Sequence, residues 1–150
     1  MNLKEIINND LKEAMRAKDK IRLSTVRSIR ALILEYEKSG KNKELSEDEE
    51  IKILTSAAKK RKESIEQYEK AGRADLLAQE KAELEIIKSY LPEQLSDAEI
   101  KNEVAKIAKK IGAASKSDFP KLMPLAIKAL KGKADGKQIR ESVEEILSQF

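Results

Sequence analysis

The chain has 150 residues, of which 40% are apolar and 39% charged, and its formal net charge is +4. It contains neither cysteine nor histidine, which excludes disulfides and thiolate chemistry and removes the commonest general base and zinc ligand. Aromatic residues make up 3% and tryptophan is absent, so a base-stacking platform is not expected. Because neither a transmembrane run nor a signal-peptide pattern occurs, we expect a cytoplasmic protein with no membrane partner.

Helical spacing of apolar residues begins at the start of the chain and predicts a first helix over residues 1–17. Asp19 is placed to cap a second helix, and Ser39–Leu45 is expected to form a polar turn. Strand signals are missing throughout, because apolar and polar residues do not alternate and β-branched residues are scattered. The sequence therefore predicts an all-α protein.

A long antiparallel hairpin is predicted over residues 47–91. The Ser46–Glu49 segment has the pattern of a capping box and begins a third helix, Gly72 is placed to end it, and a fourth helix resumes near Ala74. Arg61 interrupts the apolar seam of the third helix, and we expect its stem to pack while its head reaches a carboxylate. Paired carboxylates such as Glu80, Glu83 and Glu85 are expected to be solvated ion-pair ladders rather than catalytic groups.

A domain boundary is predicted at the proline that ends the fourth helix. It separates an N-terminal helical domain, residues 1–92, from a C-terminal three-helix domain, residues 96–150. Ser117 is placed to cap the middle helix of the second domain, and Pro124 is expected to kink that helix or delay its start.

The segment Leu130–Arg140 is a glycine-punctuated basic turn that precedes the last helix. Asp135 and Gln138 form a capping-box pattern, and a helix N-terminus surrounded by lysines favours anions. Because an Asp135 cap would occupy some of the helix amides, we expect a phosphate to be held mainly by lysine side chains. The candidate binding residues are Lys128, Lys131, Gly132, Lys133, Asp135, Gly136, Lys137 and Arg140, with the two glycines permitting the turn.

A secondary basic face is expected on the second helix, where cations have few acidic neighbours in the sequence: Lys20, Arg22, Arg27 and Arg30. Motifs for catalysis are missing, because there is no Walker-type loop, no dinucleotide fingerprint and no cluster of metal ligands. We therefore expect no catalytic residues, no metal and no cofactor.

Three segments carry a family resemblance: Arg61–Ser96, which contains the blocks GRADL and YLPEQL, Lys18–Leu32 and Leu130–Ile139. With them the chain resembles the GatB/YqeY family, and specifically its stand-alone YqeY-like proteins. The resemblance implies an all-helical protein with a small C-terminal helical part. In that family the module forms the C-terminal tail of the B subunit of the tRNA-dependent amidotransferase, which makes Gln-tRNA or Asn-tRNA from misacylated tRNA, with glutamine as nitrogen donor.

The function expected from residues and resemblance together is non-catalytic binding of tRNA or another structured RNA. Two alternatives remain open. In the first, the protein is an accessory component of glutamine-dependent amidotransfer, a carbon–nitrogen ligase reaction, and binds amidotransferase subunits. In the second, it is an adaptor that docks another protein on the 47–91 hairpin.

Overall fold

The computed structural model describes residues 2–41 and 44–150. These residues form seven α-helices and no strand, which confirms the all-α prediction. Two compact units divide the chain, one ending at Leu91 and the other beginning at Pro92. The helices are α1 (Leu3–Ala17), α2 (Lys20–Tyr36), α3 (Glu47–Ala71), α4 (Ala74–Lys88), α5 (Asp97–Ile111), α6 (Phe119–Ala129) and α7 (Gly136–Leu147).

Local capping signals set most helix ends where the sequence predicts them. The Asp19 side chain accepts a hydrogen bond from the Arg22 amide (3.1 Å), and the Ser46 hydroxyl accepts one from the Glu49 amide (3.2 Å). Gly72 ends α3 in the left-handed conformation, with φ of 68°. These contacts satisfy backbone groups that a helix terminus leaves without intrahelical partners.

The first unit is organised around α2, which packs against α1, α3 and α4. Its core is built from apolar side chains on the inward faces of all four helices, and Ile7, Ile29 and Ile87 are fully buried. Buried residues in α3 end at Ala58 and those in α4 begin at Glu83. Ile65 of α3 still packs against this core, so only the tip of the hairpin, residues 66–79, extends beyond it; we call this tip the distal arm.

A buried charged group fastens the hairpin to α2. The Nε atom of Arg61 lies 3.0 Å from Glu83 Oε2 and 3.6 Å from Glu80 Oε2, and an Arg61 Nη atom donates to the Ser28 hydroxyl at 3.3 Å. The side chains of Arg61 and Glu83 are 15% and 4% exposed. The expectation that Arg61 reaches a carboxylate is confirmed, whereas the solvated ladder expected at Glu83 is wrong because the hairpin buries that carboxylate against Arg61.

The polar turn expected over Ser39–Leu45 is partly wrong. Residues Glu37–Lys41 continue α2 as one turn of π-helix, in which the Ser39 hydroxyl donates to the Tyr36 carbonyl at 2.6 Å. That bond lets a short polar side chain support a helical turn instead of competing with it. Residues 42 and 43 of the predicted turn lie outside the described residues.

The second unit is a three-helix arrangement in which α5, α6 and α7 all pack on one another. Fully buried residues from each helix, Val104, Leu122 and Val143, form the centre of its core. A reciprocal capping box at Ser96 and Glu99 begins α5.

The structure corrects the predicted cap of α6 and excludes one of the two alternatives for Pro124, a delayed helix start. Ser117 does not cap α6: Asp118 precedes the helix, and Ser117 lies within a single turn of 3₁₀ helix (Lys116–Asp118) that follows Ser115. The Asp118 carboxylate accepts from the amides of Ala114 and Ser115. Those two bonds also lower the pKa of Asp118. The helix then runs through Pro124 rather than starting after it. Pro124 lies on the exposed face, where the carbonyl that it leaves without an amide partner is tolerated more readily than in a core.

Candidate functional site

The basic turn between α6 and α7 is anchored by two buried apolar residues, Leu130 and Ala134. The amides of Lys133 and Ala134 both donate to the Leu130 carbonyl, at 2.9 and 3.3 Å. Gly132 lies inside the turn that these bonds close, with φ of 78°, a left-handed conformation that residues with a side chain rarely adopt. The turn is therefore closed by its own backbone.

A second set of hydrogen bonds joins this turn to the segment that begins the second unit. The Leu95 amide donates to the Lys133 carbonyl at 2.9 Å, and the Gln94 side-chain amide donates to the Gly132 carbonyl at 2.6 Å. The YLPEQL block and the basic turn, which are about 40 residues apart in sequence, thus meet in the structure. Because two turn carbonyls are already bonded, the backbone is fixed without help from a ligand.

The predicted capping box at the start of α7 is confirmed. The Gln138 amide donates to Asp135 Oδ1 at 2.8 Å, and the Asp135 amide donates to Gln138 Oε1 at 3.2 Å. Gln138 also donates to the Asp97 carboxylate at 3.4 Å, which connects α7 to the start of α5. The Asp135 carboxylate is thereby committed to the helix, so an incoming anion would meet lysine and arginine side chains first.

The predicted cations around this turn are not equivalent. Lys128, Lys133, Lys137 and Arg140 are exposed, and no salt bridge involves them in the part of the chain that the structure describes. Lys131 is half-buried and interacts with the protein itself. The structure thus favours four of the five predicted cations as free contacts.

The two glycines of this segment differ in the same way. Gly132 has the left-handed backbone that the turn requires. Gly136 does not have a positive φ, and a Cβ atom added there would meet no atom within 4 Å. The expectation that both glycines permit the turn is therefore wrong for Gly136, which is simply the first residue of α7.

Lys121 extends the basic surface along α6 and was missed by the sequence reasoning. It lies seven residues, or two turns, before Lys128, so the two lysines share one exposed face of a helix that contains no acidic residue. The spacing of these lysines was the available signal. We define the basic corner as the exposed cations of α6, the turn and the first turns of α7: Lys121, Lys128, Lys133, Lys137 and Arg140.

The four cations of the secondary basic face differ in their partners, because one of them, Arg22, forms salt bridges with acidic residues of α1. Arg22 lies 3.5 Å from carboxylate oxygens of both Asp10 and Glu13, so it has the acidic neighbours that its own helix lacks. The Tyr90 hydroxyl donates to Asp10 as well, and burial together with that bond raises the pKa of Tyr90. Arg22 thus belongs to a polar group that joins α1, α2 and the end of α4.

The other three cations of that face remain available. Arg30 donates to the Asn8 side chain at 3.2 Å and forms no salt bridge within residues 2–41 and 44–150. Lys20 and Arg27 are exposed. Among the described residues there is no group of three or more side chains that could hold a metal ion.

Comparison with known proteins supplies the family. A family model described as Yqey-like protein matches residues 4–147, which is nearly the whole chain. The chain belongs to the YqeY-like family. This agrees with the resemblance carried by the GRADL and YLPEQL blocks.

Curated relatives of this YqeY-like chain include three fungal proteins, each called altered inheritance of mitochondria protein 41, mitochondrial. That of Lachancea thermotolerans is 37% identical over 103 residues, covering 67% of this chain and 55% of the relative. That of Pyrenophora tritici-repentis is 30% identical over 142 residues, covering 92% and 77%. That of Saccharomyces cerevisiae strain YJM789 is 32% identical over 145 residues, covering 97% and 68%. The chain thus spans little more than half the length of the first of these relatives.

The expectation of a cytoplasmic protein is wrong, because these relatives are named as mitochondrial proteins. The expectation rested on composition and on the lack of recognisable targeting motifs. Neither feature identifies the compartment of a charged, helical protein. In the residues that the structure describes, none of the helices is both long and apolar enough to cross a bilayer.

Proposed function

We propose that this YqeY-like protein is an RNA-binding module that contacts the backbone of structured RNA, with tRNA as its first candidate ligand, through the basic corner. The observation that carries the proposal is a segregation of charge within the second unit. Residues 119–140 contain six cations and a single acid, Asp135, whose carboxylate caps α7. The remainder of the unit contains more acids than cations.

Such an arrangement favours a polyanion over a single small anion. The cations are distributed over α6, the turn and α7, so they offer several contact points, each of which can meet a different phosphate of a nucleic-acid backbone. The turn that carries them is fixed by its own hydrogen bonds and by those from Gln94 and Leu95. Less conformational entropy is therefore lost on binding than for lysines on a disordered tail.

The kind of nucleic acid follows from what surrounds the cations. The second unit has only two aromatic residues, Phe119 and Phe150, which is too few for a platform that stacks successive bases. Recognition through shape and phosphates is typical of folded RNA. The resemblance to the tail of the amidotransferase B subunit makes tRNA the first RNA to test.

The experiment is filter binding of a tRNA transcript to the double variant Lys133→Glu with Lys137→Glu, measured over a series of salt concentrations. We expect weaker binding of all tRNA sequences alike, and a salt dependence that is smaller by about one unit of the log–log slope for each lysine removed. The matched control is Lys109→Glu with Lys110→Glu, which changes the net charge equally on exposed positions of α5. Equal tRNA affinity in the two double variants would exclude the basic corner as the binding surface.

The distal arm favours a second candidate, a protein-interaction adaptor. None of its residues is fully buried, so both of its helices are accessible along their outer faces. A protein partner recovered with the intact chain, insensitive to nuclease and lost when arm residues are replaced, would support this function.

An accessory role in glutamine-dependent amidotransfer is tested separately. The purified protein is added to a reconstituted tRNA-dependent amidotransferase, and both the rate and the tRNA affinity are measured. Unchanged values would remove this role.

A further inference from the structure

A cleft with a volume of about 440 Å³ lies in the second unit, where the end of α7 meets the 3₁₀ turn and the start of α6. Its inner lining is apolar, because Phe119 is half-buried and Leu147, which belongs to the core of the unit, is 1% exposed. The exposed residues Lys116, Glu144 and Ser148 form its rim. We call this concave surface the α6–α7 cleft.

The charges on the rim of the cleft have no partners within the protein. In the part of the chain that the structure describes, neither the Lys116 side chain nor the Glu144 side chain takes part in a salt bridge. Glu141 is also exposed, and it precedes Glu144 by about one turn on the same side of α7. The cleft therefore combines an apolar lining with one cation and one anion that a ligand can neutralise.

Both phenylalanines of the chain lie at this end of the second unit. Phe119 lines the cleft, and Phe150, with 62% of its surface exposed, follows Leu147 by three residues. The Phe150 amide donates to the Leu147 carbonyl at 3.4 Å, which keeps the backbone of Phe150 beside the lining of the cleft. Exposed aromatic side chains next to a concave surface are typical of sites that bind other proteins.

We propose that the α6–α7 cleft binds a short segment of a partner protein, in which an apolar side chain lies between a basic and an acidic residue. The apolar side chain packs on Phe119 and Leu147 and displaces water from them. The basic residue pairs with Glu144 and the acidic residue with Lys116, so the segment binds in one direction. This inference goes beyond the proposed function, because such a site requires no RNA.

The cleft suits a protein segment better than a nucleic acid or a small molecule. A nucleic acid would bring its phosphates to the carboxylates of Glu144 and Glu141, which repel them. A small-molecule site typically encloses about 70–90% of its ligand, whereas this cleft is open to solvent. A protein segment needs only to insert one anchoring side chain, and the chain on either side can follow the surface.

The experiment begins with a library of random peptides displayed on phage and selected on the immobilised full chain. We expect the enriched peptides to share an apolar residue with a basic residue on one side and an acidic residue on the other. The most enriched peptide is then synthesised with a fluorescent label, and its affinity for the full chain is measured by fluorescence anisotropy.

Two variants test whether that peptide binds in the cleft. Ser148→Trp fills the cleft from an exposed position, and Ser89→Trp is its matched control. Each of these serines follows the last residue of a helix, and each hydroxyl donates to the carbonyl three residues earlier, at 2.7 and 2.5 Å. Glu144→Lys reverses the rim charge, and Glu66→Lys makes the same change at an exposed position of α3.

We expect Ser148→Trp to weaken peptide binding by at least about tenfold and Glu144→Lys by about threefold, with less than about a twofold change in either control. A peptide whose basic residue is replaced by glutamate should bind Glu144→Lys more tightly than the unaltered protein. Circular dichroism checks folding, and if Ser148→Trp unfolds the protein, Glu144→Lys with the altered peptide still decides the result.

Three outcomes overturn the inference. The first is that no peptide is enriched, or that the enriched peptides bind the cleft variants and their controls equally well. The second is a dimer, detected by analytical ultracentrifugation, that Ser148→Trp dissociates, since the occupant would then be a second copy of the chain. The third is loss of tRNA affinity in Ser148→Trp with unchanged peptide binding, since the cleft would then serve RNA.

Discussion

Replacing Arg61 with methionine removes the cation of the buried group in the hairpin while keeping a long apolar stem. Glu83, whose side chain is 4% exposed, then keeps a buried charge without its partner, and Glu80 at 17% exposure loses the same cation. Breaking a buried ion pair on one side costs about 3–5 kcal/mol. Because small domains are stable by only about 5–15 kcal/mol, a loss of this size would be a large part of the total.

The loss should also depend on pH. Burial and the neighbouring Glu83 raise the pKa of Glu80 above its ordinary value of 4.5, whereas Arg61 opposes that rise. A carboxyl with a raised pKa binds its proton more readily in the folded protein, so its contribution favours folding at low pH and declines as pH rises through the folded-state pKa. Without Arg61 that pKa rises further, and the variant should therefore lose less stability at about pH 5 than at about pH 8.

Urea unfolding followed by circular dichroism at both pH values measures these differences. Lys59→Met, on an exposed position of the same helix, is the control and should change stability by less than about 0.5 kcal/mol. Combining Arg61→Met with Glu83→Met should recover stability, since an apolar replacement of the pair removes the unpaired charge. A loss below about 1 kcal/mol for Arg61→Met alone would refute this reasoning.

Three further predictions concern the backbone and the division into units. Lys18→Gly should raise the free energy of unfolding by about 0.5–1 kcal/mol, because glycine adopts φ of 55° without strain, and no gain in urea unfolding would contradict this. Gly132→Ala should lower it by about 1–2 kcal/mol, whereas Gly136→Ala, at an unhindered position with no positive φ, should not lower it, and similar losses in both would argue against a role for the Gly132 conformation. A fragment of residues 92–150 should unfold cooperatively by itself if the second unit is an independent domain, and a fragment without a thermal transition would show that it is not.

Features set by neighbouring residues were predictable from the sequence. The all-α class, the Asp135–Gln138 capping box and the glycine that ends α3 each depend on a few consecutive positions, whose chemistry favours one local conformation. The position of the basic turn before the last helix was predictable for the same reason. Its function was not, because a charge pattern names no ligand.

Features set by distant residues were not predictable. In the sequence Glu83 looks like the exposed Glu85, until the hairpin brings Arg61 against it. Arg22 looks unopposed on its own helix until α1 supplies Asp10 and Glu13. In each case the partner lies on another helix, and the pairing depends on how the two helices are aligned, which periodicity along one helix does not specify.

The length of the distal arm can change during evolution without changing the core of the first unit. Since none of the residues 66–79 is fully buried, adding seven residues, about two turns, to each helix there would keep their facing sides in phase and leave the core around α2 unchanged. The length of the hairpin is therefore independent of the packing that stabilises the first unit. Members of one lineage could differ by about 10 Å in hairpin length for each such change while sharing the same core.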